Sequence, residues 1–260
     1  MRRLLKKWVG SIRAAPAIPA IPRHDDLYLV EFPKSGVTWL CFLMANANHA
    51  LRQSPRNATF FNIHEIIPDI HVCRHLPPPQ VDGLGFRIIK SHASYTPLYT
   101  RVFYLVRDPR HVMASYYRFS SDLGWWNGPI DEFVRDAGFG INAWVRHVEC
   151  WLDKIAPTAS FALLRYEDLI ADTAGNLCNL YKHLGYDLSR DQAEKAAVRS
   201  SAVAMRQDEE FFNAGHPRLQ GYSLVRKGSL QGARAEMSRD VQSYIQTKAG
   251  KVMRRLGYDF

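Results

Sequence analysis

The fold is decided by residues 27–39, whose sequence reads LYLVEFPKSGVTW. The apolar run Leu27–Phe32 is typical of a buried β-strand, and Val37–Leu51, which has few polar positions, is typical of a helix. The short turn Pro33–Gly36 joins the two. A turn of this kind brings backbone N–H groups and the positive end of a helix dipole to one point, which attracts phosphate. The stretch therefore predicts a strand–turn–helix unit with a phosphate site.

Side chains in this turn and at the start of the next helix support a phosphate site without requiring one. Lys34 adds a compact positive charge, and Ser35 and Thr38 add hydroxyl groups. A Walker A loop has the pattern GxxxxGK[ST], whereas here the lysine precedes Gly36, so the turn is only similar to a P-loop. The alternative, an ordinary strand-to-helix turn without a ligand, stays open on this segment alone.

Strands and helices alternate along the rest of the chain, which predicts an α/β fold: a single domain with a central, mainly parallel sheet flanked by helices. Ligands of such sheets bind at the carboxyl ends of the strands. Chemistry is therefore expected just after Phe32, Lys90, Val106 and Arg165. The further strands are predicted at Phe86–Lys90, Val102–Val106 and Phe161–Arg165, and the further helices at Pro109–Phe119, Ile141–Ile155, Thr173–Leu184, Asp191–Val198, Ala202–Glu210 and Arg239–Leu256.

Composition divides the chain into an arm and a domain. Residues 1–24 combine a basic run, Met1–Arg13, with the Ala/Pro-rich stretch Ala14–Pro22, and residues 25–260 are predicted to form the folded domain. The arm is interpreted as a frayed basic terminus, with peripheral contact to an anionic membrane as the alternative. Gln207–Ser223 is polar and contains Gly and Pro, which predicts a mobile loop.

The chain has 260 residues, a net charge of +9 and 47% hydrophobic residues. The charge suits nucleic acid, an anionic membrane or a polyanionic small molecule, and the scattered basic residues do not choose among them. Cys41, Cys73, Cys150 and Cys178 form no CxxC pair, which indicates reduced thiols and a cytoplasmic protein. No apolar run reaches the ~18–20 residues that would span a bilayer, and no signal peptide is recognised.

A second phosphate-binding candidate follows the strand Val102–Val106. Arg107 ends this strand, and Ser115 lies about two turns into the next helix. A guanidinium group can bind a phosphate bidentately, and a hydroxyl can add one more hydrogen bond. The alternative is a structural ion pair of Arg107 with Asp108 or Glu167.

Two further motifs carry charge or titrate near neutral pH. His92 follows the strand Phe86–Lys90 at the expected active edge, where a histidine can act as a general base. The tripeptide Arg226-Lys227-Gly228 can wrap a phosphate, although this pattern alone also occurs on solvated surfaces. The run His71-x-Cys73-x-His75 is interpreted as a loop surface, because its tight spacing lacks the partner cluster that a metal site needs.

Taken in their order along the chain, these motifs resemble the PAPS-dependent sulfotransferase family of the cytosolic type. The resemblance extends over Leu27–Gly228. The most specific match is Tyr104–Phe119 (YLVRDPRHVMASYYRF), which is similar to the family's 3′-phosphate motif. The other matches are Phe32–Trp39 to the PKSGTTW loop, Ile89–His92 to the KTH segment, Leu163–Leu169 to the YED segment and Arg226–Gly228 to the RKG motif.

The resemblance implies an in-line transfer of a sulfuryl group from 3′-phosphoadenosine 5′-phosphosulfate (PAPS) to an acceptor hydroxyl or amine, with release of PAP. It implies that His92 is the general base and that Lys34 stabilises the leaving phosphate. It implies no metal. The residues expected to hold the donor are Lys34, Ser35, Gly36, Val37, Thr38, Trp39, Arg107, Ser115, Tyr166, Ser200, Arg226, Lys227 and Gly228.

The chain departs from the family pattern at several positions of the expected donor site. Val37 stands where the family usually has a threonine, which removes a hydroxyl near the phosphosulfate. Residues 228–234 (GSLQGAR) lack the Asp and Trp of the family's Gly-x-x-Gly-Asp-Trp segment. Ala202 stands where an aromatic residue often contacts adenine. These departures put the loop after Gly228 and part of the adenine site in doubt.

The acceptor is not identified by the sequence. The resemblance implies a small molecule, a glycan or a lipid rather than nucleic acid, and it leaves a homodimer open. The rival function is a P-loop-type nucleotide kinase, which would need a lysine after the glycine of the turn and a carboxylate for magnesium. A non-catalytic polyanion binder is the third reading, but it does not explain why the cations lie at strand ends.

Overall fold

The computed structural model describes residues 18–72, 75–76, 84–154, 160–215, 223, 225 and 237–259. Within these ranges the strands are β1 (Leu27–Glu31), β2 (Ile88–Ser91), β3 (Arg101–Val106) and β4 (Ser160–Arg165). The helices are α1 (Val37–Leu51), α2 (Ile63–Ile66), α3 (Pro109–Asp122), α4 (Ile130–Arg135), α5 (Ile141–Lys154), α6 (Tyr166–Ala171), α7 (Thr173–His183), α8 (Arg190–Arg199), α9 (Ala202–Ala214) and α10 (Arg239–Arg255).

The four strands form one parallel sheet in the order β2-β1-β3-β4. β1 lies between two neighbours, so that Leu27 is opposite Ile88 of β2 on one side and opposite Arg101 of β3 on the other. β3 continues the sheet to β4, where Arg101 is opposite Ser160. The predicted α/β fold, a single domain with a parallel sheet flanked by helices, is confirmed.

Helices cover both faces of the sheet, and this explains why β1 is apolar almost throughout. Tyr28 and Val30 belong to a core formed with α3, α5 and α10, whereas Leu27 and Leu29 belong to a second core formed with α1, α7 and α8. All five residues of β1 are buried. A parallel strand covered on both faces cannot alternate polar and apolar side chains.

Most predicted elements are found, with shifts at their ends. α1 covers Val37–Leu51 as predicted, and α10 begins after Ser238, whose side chain accepts the N–H of Val241 at 3.2 Å. α3 continues three residues beyond Phe119. β2 begins at Ile88 rather than Phe86 and ends at Ser91. The short helices α2, α4 and α6 lie in segments whose few residues gave no helical period.

The predicted loop Gln207–Ser223 is wrong over its first part, because α9 continues to Ala214. The Ser201 side chain caps this helix by accepting the N–H of Ala204 at 3.3 Å. Met205 and Glu209 are the residues of the helix that are buried. Of the polar residues that suggested a loop, Gln207 and Glu210 are exposed, whereas Asp208 and Asn213 are half-buried. Residues 216–222 lie outside the described residues.

None of the described helices is both long enough and apolar enough to cross a bilayer.

Candidate functional site

The carboxyl ends of the four strands meet at one edge of the sheet, where parallel α/β folds bind ligands. The turn Pro33–Gly36 follows the central strand β1, and His92 follows its neighbour β2 directly. On the other side, Arg107 follows β3, and Tyr166 follows β4. The strand order therefore puts His92 and Arg107 on opposite sides of the Lys34 turn.

The turn after β1 is folded tightly by its own hydrogen bonds. The backbone N–H and the hydroxyl of Ser35 both donate to the carbonyl of Phe32, at 3.2 Å and 2.9 Å. Lys34 has a φ of +74° and Gly36 a φ of +116°, both in the left-handed region. A backbone strained in this way is maintained by the structure around it and is frequent at ligand sites.

Two features favour glycine at position 36: the left-handed φ angle and the close approach of Tyr166. A Cβ atom at this position would lie 2.6 Å from Cδ2 of Tyr166. The Nζ atom of Lys34 lies 4.2 Å from the centre of the Phe119 ring. The turn thus contacts α3 through Lys34 and α6 through Gly36.

Glu31, the last residue of β1, lies beneath this turn and was not predicted as a site residue. Its Oε2 accepts the N–H of Val37, the first residue of α1, at 2.7 Å. Burial raises the pKa of Glu31 to about 7, although Val37 and the cations Lys90 and Lys34 oppose the rise. The signal in the sequence is a single carboxylate within the otherwise apolar run Leu27–Phe32.

His92 is almost fully buried, with 2% of its side chain exposed. Its Nδ1 lies 3.7 Å from Oε1 of Glu31. Its backbone N–H donates to Nε2 of His71 at 2.8 Å, and its carbonyl oxygen lies 3.3 Å from Nε2 of His147. Burial, followed by the positive charge of Lys90, lowers the pKa of His92 well below 6.5. His92 is therefore neutral near neutral pH, as a general base must be.

A short segment before β2 holds Lys90 in place. Ile70 donates its N–H to the carbonyl of Lys90, Lys90 donates to the carbonyl of Pro68, and Asp69 pairs with Lys90 Nζ at 3.1 Å. Burial alone would raise the pKa of Asp69, but the charges of Lys90, His92 and His71 and the hydrogen bond from the His71 N–H together outweigh it and lower that pKa to about 2. The segment also carries His71, which the sequence placed on a loop surface and whose contact with His92 was missed.

Arg107 packs against an aromatic ring instead of a carboxylate. Its guanidinium carbon lies 4.3 Å from the centre of the Tyr166 ring, and Nη1 lies 3.5 Å from the carbonyl oxygen of Lys34. The carboxylates suggested as alternative partners are engaged elsewhere, since Asp108 pairs with Arg110 and Glu167 accepts the N–H of Asp108 at 3.0 Å. Arg107 Nε is buried and has no hydrogen-bond partner among the described residues.

Glu167 links this edge to the end of the chain. Its second oxygen accepts the hydroxyl hydrogen of Tyr258 at 2.8 Å, and the guanidinium group of Arg165 lies 4.5 Å from the centre of the Tyr258 ring. The peptide that follows Arg107 is thus fixed through Glu167 by a tyrosine beyond α10. Neither contact was predicted, because each joins residues far apart in sequence.

Aromatic and polar residues predicted to hold adenine also come together. Trp39 packs edge-on against Tyr166 with ring centres 5.6 Å apart, and its Nε1–H donates to the carbonyl of Ser200 at 3.0 Å. The hydroxyl of Ser200 is buried and accepts from Asn46 at 3.0 Å. Tyr166 therefore joins the Trp39–Ser200 pair to Arg107.

Of the remaining predicted site residues, Ser115 and Thr38 lie on helices that follow the strand ends. Ser115 is half-buried on α3, which begins two residues after Arg107, and Thr38 lies in the first turn of α1. Arg226, Lys227 and Gly228 lie outside the described residues. Val225, just before them, donates its N–H to the buried Glu209 at 3.1 Å.

In the described ranges, no group of three His, Cys, Asp or Glu could hold a metal ion.

Two sulfotransferases are similar to this chain in sequence. The chain is 25% identical over 220 residues to the 3-alpha-hydroxysteroid sulfotransferase of Cavia porcellus, an alignment that covers 80% of this chain and 76% of that protein. It is 27% identical over 204 residues to Sulfotransferase 2B1 of Homo sapiens, which covers 71% of this chain and 53% of that protein.

Solved structures show the same fold. Mouse sulfotransferase SULT7A1 complexed with PAP superposes with a TM-score of 0.65 at 18% identity, covering 96% of this chain and 90% of that one. Retinol dehydratase in complex with androsterone and the inactive cofactor PAP superposes with a TM-score of 0.67 at 17% identity, covering 100% and 87%.

The family is shown by a match along nearly the whole chain. A protein-family model described as "Sulfotransferase domain" matches residues 24–257. The resemblance inferred from the motifs is thereby confirmed, and this chain belongs to the sulfotransferase family.

Proposed function

We propose that this enzyme transfers a sulfuryl group from PAPS to an acceptor hydroxyl or amine, with His92 as general base and Lys34 as the group that stabilises the leaving phosphate. The observation that carries the proposal is the strand order, which puts His92 and Arg107 on opposite sides of the Lys34 turn. A base on one side of the turn suits the acceptor, and a cation on the other side suits the 3′-phosphate of the donor.

The residues around Arg107 fit the 3′-phosphate of the donor. Arg107 Nε is buried without a hydrogen-bond partner among the described residues, and a buried donor of this kind normally finds an acceptor. The ring of Tyr166 holds the guanidinium plane, so that little rotamer entropy is lost when an anion binds. Ser115 adds a hydroxyl from α3, and Trp39 and Ser200 would border the adenine.

His92 and Lys34 divide the chemistry between them. His92 takes the proton of the acceptor hydroxyl while the acceptor oxygen forms its bond to sulfur. The bond between sulfur and the 5′-phosphate oxygen breaks, its electron pair stays on that oxygen, and PAP leaves. Lys34 stabilises the charge that develops there. Positioning and electrostatics dominate such a transfer, as they do in phosphoryl transfer.

The acceptor is proposed to be a small molecule with an alcohol, phenol or amine group. The relatives named above include a hydroxysteroid sulfotransferase, and a structural neighbour was solved with androsterone. A nucleotide kinase is not favoured, because Lys34 precedes Gly36 and Val37 occupies the next position.

Ligand-induced stabilisation tests the donor. PAP should raise the melting temperature, since a ligand that binds only the folded state stabilises it by mass action. ATP lacks the 3′-phosphate and should raise it much less. Equal shifts with PAP and ATP would contradict the assignment. Radiolabelled PAPS and a panel of hydroxysteroids, phenols and amines would then identify the acceptor.

A further inference from the structure

Glu31 is a buried carboxylate of the site to which the proposed mechanism gives no role. It ends the central strand β1 with 3% of its side chain exposed. Burying an ionisable carboxyl group is costly unless it is hydrogen-bonded. Its position between the phosphate-binding turn and His92 suggests that the cost serves the chemistry.

The two oxygens of Glu31 face different groups. Oε2 accepts the N–H of Val37 at 2.7 Å, which fixes the orientation of the carboxyl group. Oε1 then faces His92 and lies 3.7 Å from Nδ1, an ion-pair distance. Catalytic hydrogen bonds are often longer in the absence of substrate and tighten in the reactive complex.

This arrangement selects one of the two neutral forms of His92. A carboxylate next to Nδ1 favours the form that carries its hydrogen on Nδ1. Nε2 then lacks a hydrogen and can accept the proton of the acceptor hydroxyl. The backbone of His92 is held independently by His71 and His147.

We propose that Glu31 is a positioning residue for His92: it holds the Nδ1–H form of the ring and stabilises the imidazolium that forms when Nε2 takes the acceptor proton. The proposal rests on the proposed function, because it requires His92 to be the base. No atom of Glu31 needs to touch the substrate, and the proton stays on His92 until the sulfated product has formed.

The charges around Glu31 allow this role. Cations on both sides oppose the effect of burial, so that the carboxylate form is accessible near neutral pH. The titratable groups that face Glu31 are Lys34 of the turn, Cys41 of α1, Lys90 of β2, His92 and Tyr104 of β3.

Glu31→Gln tests the proposal with little change in shape. The carboxamide oxygen can still accept the N–H of Val37, which places the NH₂ group against Nδ1 of His92. That contact favours the wrong neutral form of the ring, and no carboxylate remains to stabilise imidazolium. We expect kcat with androsterone as the probe alcohol to fall by ~10²-fold, as for the loss of a positioned base. The Kd for PAP should stay within threefold of the original value.

Asp26→Asn is the matched control. Asp26 is a buried carboxylate just before the other end of β1, where it pairs with Arg87 at 2.7 Å. This variant should lower the melting temperature but keep kcat per folded molecule. Equal losses of kcat in Asp26→Asn and Glu31→Gln would show a general effect of destabilising β1 and would overturn the proposal.

A double variant separates positioning from structure. In a His92→Ala background, Glu31→Gln should cause no further loss of kcat, because a positioning residue acts only through the residue it positions. A further tenfold loss would overturn the inference while leaving the proposed function intact. Normal turnover in His92→Ala would instead overturn the proposed base itself.

Nitrogen NMR of the unsubstituted protein provides a test that needs neither an acceptor nor a folded Glu31 variant. The His92 signals, assigned by their loss in His92→Ala, should show the hydrogen on Nδ1 at neutral pH. A hydrogen on Nε2 would overturn the proposal.

Discussion

The ring of Tyr166 lies against both Arg107 and Gly36. Its centre is 4.3 Å from the guanidinium carbon of Arg107, and its Cδ2 atom is 2.6 Å from the position that a Cβ atom at Gly36 would take. The turn Pro33–Gly36 and the proposed 3′-phosphate site therefore share one side chain. A change at either neighbour is expected to reach the other through this ring.

Gly36→Ala should weaken both donor binding and the fold. The methyl group would push Tyr166 away from Arg107, and the left-handed φ adds strain. We expect PAP affinity to fall at least tenfold and the free energy of unfolding to fall by about 1–3 kcal/mol. Calorimetry and chemical denaturation measure the two effects.

Gly85→Ala is the control for this experiment. Gly85 also has a left-handed φ, of +79°, but an added Cβ would meet nothing within 4 Å. It should lose some stability and keep its PAP affinity. If both variants bind PAP normally, Tyr166 does not couple the two sites.

Arg107→Ala should reduce PAP affinity by about 2–3 kcal/mol, since the proposed contact would join a charged donor to a partly buried phosphate. Ser115→Ala should lose less, because it removes one neutral hydrogen-bond donor. The control is Arg101→Ala at the opposite end of β3, where the guanidinium group packs over Phe86 at 4.4 Å. Wild-type binding by Arg107→Ala in calorimetry would refute the 3′-phosphate assignment.

His92→Ala and Lys34→Ala should differ in what they lose. Removal of the base should lower turnover by ~10²-fold or more and leave PAP affinity within a few-fold. Lys34→Ala should lower turnover and donor affinity together, because the proposed function places its charge at the donor phosphate. Labelled sulfate transfer and PAP titration separate the two, with an aliphatic alcohol as acceptor, since an acidic phenol needs less help from a base.

The pH dependence of stability should reveal the buried Glu31. Its pKa rises from 4.5 to about 7 on folding, so its contribution to stability is complete below 4.5 and is lost as pH rises through about 7. His92 and His147, whose pKa values are lowered by burial, act in the opposite direction and cost stability as pH falls below 6.5.

Comparison with Glu31→Gln isolates the carboxyl group from these histidines. The free energy of unfolding of the variant, relative to the original protein, should increase by up to about 3 kcal/mol between pH 4.5 and pH 7. Denaturation at several pH values measures this difference. A constant difference would mean that Glu31 has an ordinary pKa in the fold.

The sequence predicted the parts of the site that local pattern determines. The turn Pro33–Gly36, His92 and Arg107 each follow a short apolar strand, and parallel strands place such positions at one edge of a sheet. The family resemblance added Trp39 and Tyr166 to the site, and the structure brings their rings together. Val37 offers no hydroxyl group where the family usually has a threonine, but the backbone N–H of Val37 donates to Glu31.

Contacts between distant segments could not be predicted in the same way. Glu31 meets His92 only because β1 lies beside β2, and His71 reaches His92 because its segment adds to the edge of β2. The predicted helix Ala202–Glu210 missed the last four residues of α9, residues 211–214, because none of them is fully buried and they carry no helical apolar period. In each case tertiary packing decides what single-sequence patterns leave open.

The central position of β1 has a kinetic consequence. Each of its pairings, with β2 and with β3, joins segments separated by a complete helical crossover, and the sheet of the described residues contains no hairpin. Such non-local contacts form late and slowly during folding. Because the proposed donor site takes its turn from the end of β1 and Arg107 from the end of β3, a chain in which these strands are not yet paired has no assembled donor site. PAP binding during refolding should therefore appear together with the slowest strand pairing, which makes donor affinity a reporter of the completed sheet.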